Sequence, residues 1–68
     1  MTRQLHKALE LIRPEVEEKT WTAFWMVQID SREPREVATE LGMTPAAVRK
    51  ARYRVLDRLR QELGELLE

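Results

Sequence analysis

Cysteine is absent from this chain, so neither a disulfide framework nor a thiolate metal site is available to it. Histidine is nearly absent. The single His6 cannot build a histidine metal cluster, and it is read as a surface residue without a role. Glycine occurs only twice, while Leu, Glu, Arg and Ala are abundant, a balance that argues against a sheet and for helices. No apolar run approaches the about 18 residues that a membrane span needs, and no signal-peptide pattern opens the chain. The expected location is the cytoplasm, with no membrane partner. The expected cofactor set is empty. Glu15, Glu17 and Glu18 have no partner histidine or metal set, so they are read as a solvated or helix-N-terminal face, and enzymatic activity is not expected. What remains is one domain of 68 residues, near the lower size at which a single core holds without staples.

Apolar spacing and stop signals predict four helices. The first carries Leu5, Ala8, Leu9 and Ile12 and ends before Pro14. Pro14 is placed to start a short turn through Val16. Thr20 is then the expected N-cap of a second helix carrying Trp21, Phe24, Trp25, Met26, Val27 and Ile29, ending near Asp30 or Ser31. The third helix runs from Pro34 to Leu41, and Gly42 stops it in a left-handed conformation. The fourth starts with Thr44 as N-cap and Pro45 in the first position, with nothing to interrupt it before Gly64. Ser31–Glu33 and Gly42–Thr44 are the only plausible loops.

Between Pro34 and Tyr53 the pattern matches the demands of a helix-turn-helix, two short helices crossing steeply through a turn of three or four residues. Val37 and Ala38 supply a branched and then a small residue where the helices cross. Leu41 anchors the end of the first helix, Gly42 turns the chain and Met43 buries one apolar group in the turn. Val48 and Ala51 point back from the second helix. The expected class is therefore an all-α, four-helix domain over residues 1–68, without winged elements. Its helix-turn-helix lies at about 34–56, and a long C-terminal recognition helix follows the turn.

Net charge is zero, but it is segregated. From Pro45 to Arg60 six basic residues (Arg49, Lys50, Arg52, Arg54, Arg58 and Arg60) face Asp57 alone, a net +5. From Pro14 to Met43 seven acids face three basic residues, a net −4. A local basic stripe matters more to a polyanion than the molecular total. At 100° per residue, Val48, Val55, Leu56, Leu59, Leu63 and Leu66 share one face of the last helix. Arg49, Lys50, Tyr53, Arg54 and Asp57 lie opposite. Thr44, Pro45 and Ala46 leave a slim helix end with free backbone N–H groups for a phosphate. Arg49, Lys50 and Tyr53 are assigned to base edges or the adjoining backbone; Arg54, Arg58 and Arg60 are assigned to phosphates or solvent. Arg52 projects into the apolar arc, so its guanidinium is expected to meet Glu36 or Glu40.

The run REVATELGMTPAAV, Arg35 to Val48, continued by RVLDRLR, Arg54 to Arg60, resembles region 4 of bacterial RNA polymerase sigma factors of the extracytoplasmic-function group. Ala8-Leu9 and Trp21 to Trp25 look like that domain's preceding helices, so the resemblance covers nearly the whole chain. It implies reading of the promoter's minus-thirty-five element through the last helix and docking on the β flap of RNA polymerase core through the apolar surface. It also leaves room for an anti-sigma protein as partner. By position, Thr44, Ala46, Ala47, Arg49, Lys50, Tyr53 and Arg54 fall on the promoter-reading surface. Many members have Gly-Thr at Ala46-Ala47 and Arg at Ala51, so their promoter sequences do not transfer. The promoter-melting region has no counterpart in these residues, which implies an excised domain or a free-standing relative.

Two other readings stay open. One is a dimeric helix-turn-helix output domain or repressor, paired through the C-terminal leucines; the other is a protein-interaction module whose basic stripe meets an acidic partner. Trp21, Phe24 and Trp25 are expected in the core, with one exposed edge compatible with polymerase docking. Leu59, Leu63, Leu66 and Leu67 are expected to pack on Leu5, Leu9 and Ile12 as a monomer, with a dimer seam as the competitor.

Overall fold

In the computed structural model, residues 3–67 are described, with side chains over residues 5–64. Four α-helices form, and no strand occurs among the described residues. Helix α1 spans Arg3–Ile12 and ends where Pro14 forces a short 3-10 turn, Arg13–Glu15. The chain passes through Val16 in extended conformation into α2, Glu18–Phe24. A π-helical turn, Trp25–Ile29, continues α2 without a break. Helix α3 spans Pro34–Leu41, and α4 spans Pro45–Leu67, running through Gly64 rather than stopping there.

The start of α2 differs from the expected Thr20 cap. Glu17 is the N-cap, without a side-chain capping bond, and Thr20 lies inside the first turn. Glu18 in that turn is favoured by the helix dipole, and the Thr22 hydroxyl then donates to the Glu18 carbonyl at 2.9 Å. The end matches the expected position. Asp30 N–H donates to the Trp25 carbonyl at 3.1 Å, the five-residue reach of a π turn. Ser31 follows at φ 58°, the sole non-glycine with positive φ among the described residues, and Arg32 N–H returns to the Met26 carbonyl at 3.0 Å.

Gly42 stops α3 in the left-handed region, at φ 67° and ψ 36°. Its N–H and that of Met43 both reach the Ala38 carbonyl, the latter at 2.9 Å. The Met43 bond is the six-to-one closure of a Schellman turn. Three residues later α4 has begun. Thr44 Oγ1 accepts from Ala47 N–H at 3.0 Å, and Pro45 occupies a position where no donor is needed.

The core forms two clusters, both resting on α4. Leu9, Ile12, Trp21, Phe24 and Val55 make the first, with Leu5, Val16, Leu56 and Leu59 packed at its edge. Ala23, Val37, Ala38, Val48 and Ala51 make the second, flanked by Met26, Val27, Leu41 and Met43. Every apolar residue that the turn requires is in this second cluster or packed against it. Trp21 and Phe24 are buried as expected, with ring centroids 5.5 Å apart, but Trp25 is 37% exposed. Leu59 joins Leu5, Leu9 and Ile12; the expected packing of the Leu66 and Leu67 side chains lies outside the described residues. No buried polar or charged side chain occurs among the described residues, so apolar burial carries the fold.

The molecule measures 39 × 20 × 16 Å. Helix α4, at about 1.5 Å per residue, runs for about 34 Å and so sets the long dimension. The other three helices all pack on it. No described helix is long and apolar enough to cross a membrane.

Candidate nucleic-acid interface

Helix α4 does two jobs at once because its buried residues recur at three- and four-residue spacing. Val48, Ala51 and Val55 are buried at its N-terminal half. Ala46, Arg49, Lys50, Tyr53, Arg54 and Asp57, on the other arc, are exposed, and Tyr53 shows 62% of its surface. Ala47 is half-buried beside the Thr44 cap, and Thr44 itself is exposed. Small side chains at the helix end and long cationic ones along one arc make a surface that a polyanionic groove can approach.

Arg49, Lys50 and Arg54 have no ion-pair partner among the described residues. Their charges face solvent and are available to an anion. Arg54 marks a boundary. On one side lies a hollow lined by Thr20, Met43, Ala47, Lys50 and Ala51, which contains no carboxylate. On the other side lies a hollow lined by Glu15, Val16, Glu17, Asp57 and Arg58. Going from Thr44 to Arg54 the surface is cationic; beyond Arg54 carboxylates interleave with the cations.

Arg58 sits apart from the other expected contact residues. Its Nε donates to Glu15 Oε1 at 2.8 Å, and Nη2 donates to Glu15 Oε2 at 3.2 Å and to Glu62 Oε1 at 2.8 Å. The hydrogen bonds to Glu15 and then Glu62 hold its pKa above the usual arginine value. The group remains charged, but the charge is answered within the chain. A phosphate approaching it meets two carboxylates already bonded to the same guanidinium.

Arg52 meets neither Glu36 nor Glu40. Its Nε donates to Gln28 Oε1 at 2.8 Å, and its guanidinium carbon lies 5.6 Å from the Tyr53 ring centroid. Glu40 pairs instead with Arg32, whose pKa is raised chiefly by that hydrogen bond. Arg52 therefore ties α4 to the π-helical turn and flanks Tyr53.

A second surface was only partly legible. Trp25 and Ile29 project from the π-helical turn, 37% and 46% exposed, with Leu11 of α1 also exposed. Trp25 packs on Trp21 at 5.9 Å, and the Arg13 guanidinium stands 5.7 Å from the Trp21 ring. Arg13, Trp21, Thr22, Trp25 and Met26 line one open groove. Thr20, read as a cap, instead lines the carboxylate-free hollow beside Lys50 and Arg54. No signal in the residue order separates those two roles. Among the described residues no group of three or more His, Cys, Asp or Glu is placed to hold a metal. No protein-family model, curated protein or solved structure matches the chain.

Proposed function

We propose that α3, the Gly42–Thr44 turn and the N-terminal half of α4 form a helix-turn-helix that binds double-stranded DNA in the major groove. The domain would serve as the promoter-reading part of a transcription initiation factor, akin to region 4 of sigma factors. The observation that carries the reading is the split of α4. One arc is buried as far as Val55, while the opposite arc presents Arg49, Lys50, Tyr53 and Arg54 free of intrachain ion pairs.

On this reading Thr44, Ala46 and Ala47 form the slim end that enters the groove. Arg49 reaches guanine edges by its bidentate fork, Lys50 and Arg54 neutralise phosphates, and Tyr53 packs on a base or sugar edge. Arg58 is left out of this set because Glu15 and Glu62 hold it. Docking on RNA polymerase falls to the apolar surface, where the exposed Trp25 and Ile29 are its support.

Anisotropy titration of labelled duplexes at several salt concentrations tests the reading. The two phosphate-neutralising cations, Lys50 and Arg54, correspond to a slope of log Kd on log salt of about 2. Duplexes with and without a minus-thirty-five element then measure preference. Failure to bind any duplex at low salt leaves the protein-interaction reading. A regulator of dimeric type is favoured by one feature, the shallow apolar groove of Leu56, Leu59 and Leu63 on α4. The molar mass in solution decides between them.

A further inference from the structure

The carboxylate-free hollow beside Arg54 is lined from α2, the Gly42–Thr44 turn and α4, and α2 lies outside the two-helix unit that reads bases. Thr20 of α2 stands on one wall; Lys50 and Arg54 of α4 stand on the other. Met43, Ala47 and Ala51 make an apolar floor. Thr20 is half-exposed, and its hydroxyl differs from those of the other threonines with described side chains. Thr22 donates to Glu18, Thr39 donates to the Arg35 carbonyl at 3.1 Å, and Thr44 caps α4. The Thr20 hydroxyl has no hydrogen-bond partner among the described residues.

We infer that this hollow is a seat for one backbone phosphate of the bound duplex, with Thr20 as its neutral donor and Lys50 and Arg54 as its charges. The inference rests on the DNA-binding reading and deepens it. Charge and shape agree. Two cations without intrachain partners flank the hollow, and its apolar floor suits the deoxyribose next to the phosphate. The acids Glu15, Glu17 and Asp57 line the hollow on the far side of Arg54 instead. The seat explains how a module of this size fixes its register on DNA: a contact from α2 sets the tilt of α4, and base contacts then read sequence.

The test uses the whole chain and a random-sequence duplex, with Thr22 as an internal control on the same helix. Thr20→Val removes the hydroxyl and keeps the shape. It is expected to weaken binding about three- to tenfold with no change in salt slope, as loss of one neutral hydrogen bond does. Thr20→Ser is expected to restore wild-type binding. Thr20→Glu places a carboxylate between Lys50 and Arg54; it is expected to weaken binding more than tenfold and to reduce the salt slope by about 1. Thr22→Val is expected to bind as wild type. Circular dichroism of each variant checks that the helices persist. Wild-type binding by both Thr20→Val and Thr20→Glu, while the parent protein binds duplex, overturns the phosphate seat alone. Failure of the parent protein to bind any duplex overturns the DNA-binding reading together with the seat.

Discussion

Arg58 and Glu15 are joined by two parallel hydrogen bonds, 2.8 and 3.2 Å long, although they stand 43 positions apart in the chain. The fork of one guanidinium thus fastens the turn after α1 to the second half of α4, and Glu62 braces it from the next helical turn. This pairing gives a cation near the end of the basic stripe two carboxylate partners, one of them on another element. It is a clasp between elements.

The clasp leads to a first prediction. Arg58→Ala is expected to lower the thermal midpoint, while leaving duplex affinity and its salt slope close to those of the parent. Glu15→Gln is expected to lower the midpoint in the same direction, and the double variant to fall less than the sum of the two. Both effects shrink in high salt. A raised arginine pKa gives a stabilisation that is complete below the ordinary arginine value and is lost only as pH climbs through the raised one. The guanidinium's own titration therefore produces no pH dependence in any working buffer. Differential scanning calorimetry beside anisotropy separates the two readouts, and a shallower salt slope in Arg58→Ala would return that residue to the phosphate contacts.

Backbone conformation supplies a second prediction. Ser31 and Gly42 both adopt positive φ, at 58° and 67°, but only one of them is glycine. A Cβ at Gly42 would meet nothing within 4 Å, so Gly42→Ala costs torsional energy alone, about 1 kcal/mol. Ser31→Gly is expected to work the other way and stabilise by about 0.5–1 kcal/mol, once the added freedom of the unfolded chain is subtracted. Urea unfolding of the pair measures both signs; a destabilised Ser31→Gly would refute the account.

The core supplies a third. Phe24 is 1% exposed and is the largest of the fully buried side chains. Phe24→Ala is expected to cost about 3–5 kcal/mol, a large share of the stability of a domain this small. Loss of most helical circular dichroism at 37 °C is the expected outcome. Native-like melting would show that the first cluster is dispensable.

How far the residue order disclosed this structure depends on which force decides each element. Helix α3 and the start of α4 were legible to the residue, because Pro34, Gly42, Thr44 and Pro45 impose local torsional and capping demands that tertiary contacts do not override. The apolar set Val37, Ala38, Val48 and Ala51 was legible for the same reason. Helix α2 was less so. Thr20 has the better capping side chain, yet the helix begins at Glu18, where the dipole and the backbone bond from Trp21 to Glu17 are satisfied. The widened turn at Trp25–Ile29 leaves no mark in composition. It is the element that brings Gln28 to Arg52, and with Arg32 holding Glu40 the expected ion pairs of Arg52 give way to an amide contact. Of the interface, the exposed cations were visible from helical periodicity. The pairing of Arg58 with Glu15 was not, since it links residues far apart in the chain.

The fourth prediction concerns discrimination. Arg49→Ala is expected to narrow the affinity difference between promoter variants, while Arg54→Ala weakens all duplexes alike and reduces the salt slope by about 1. Equal losses on every sequence for both variants would remove the distinction between base and phosphate contacts.

The fifth uses the acids at the edge of the cationic surface. Asp57→Asn is expected to strengthen binding to any duplex by about two- to fivefold at low salt, because a surface carboxylate beside Arg54 is worth little more than that. No gain at low salt would place DNA farther toward the start of α4.

Because one 23-residue rod carries buried residues of both core clusters on one arc and Arg49, Lys50, Tyr53 and Arg54 on the other, the outer arc has no motion of its own: displacing it means displacing the helix on which α1, α2 and α3 all rest.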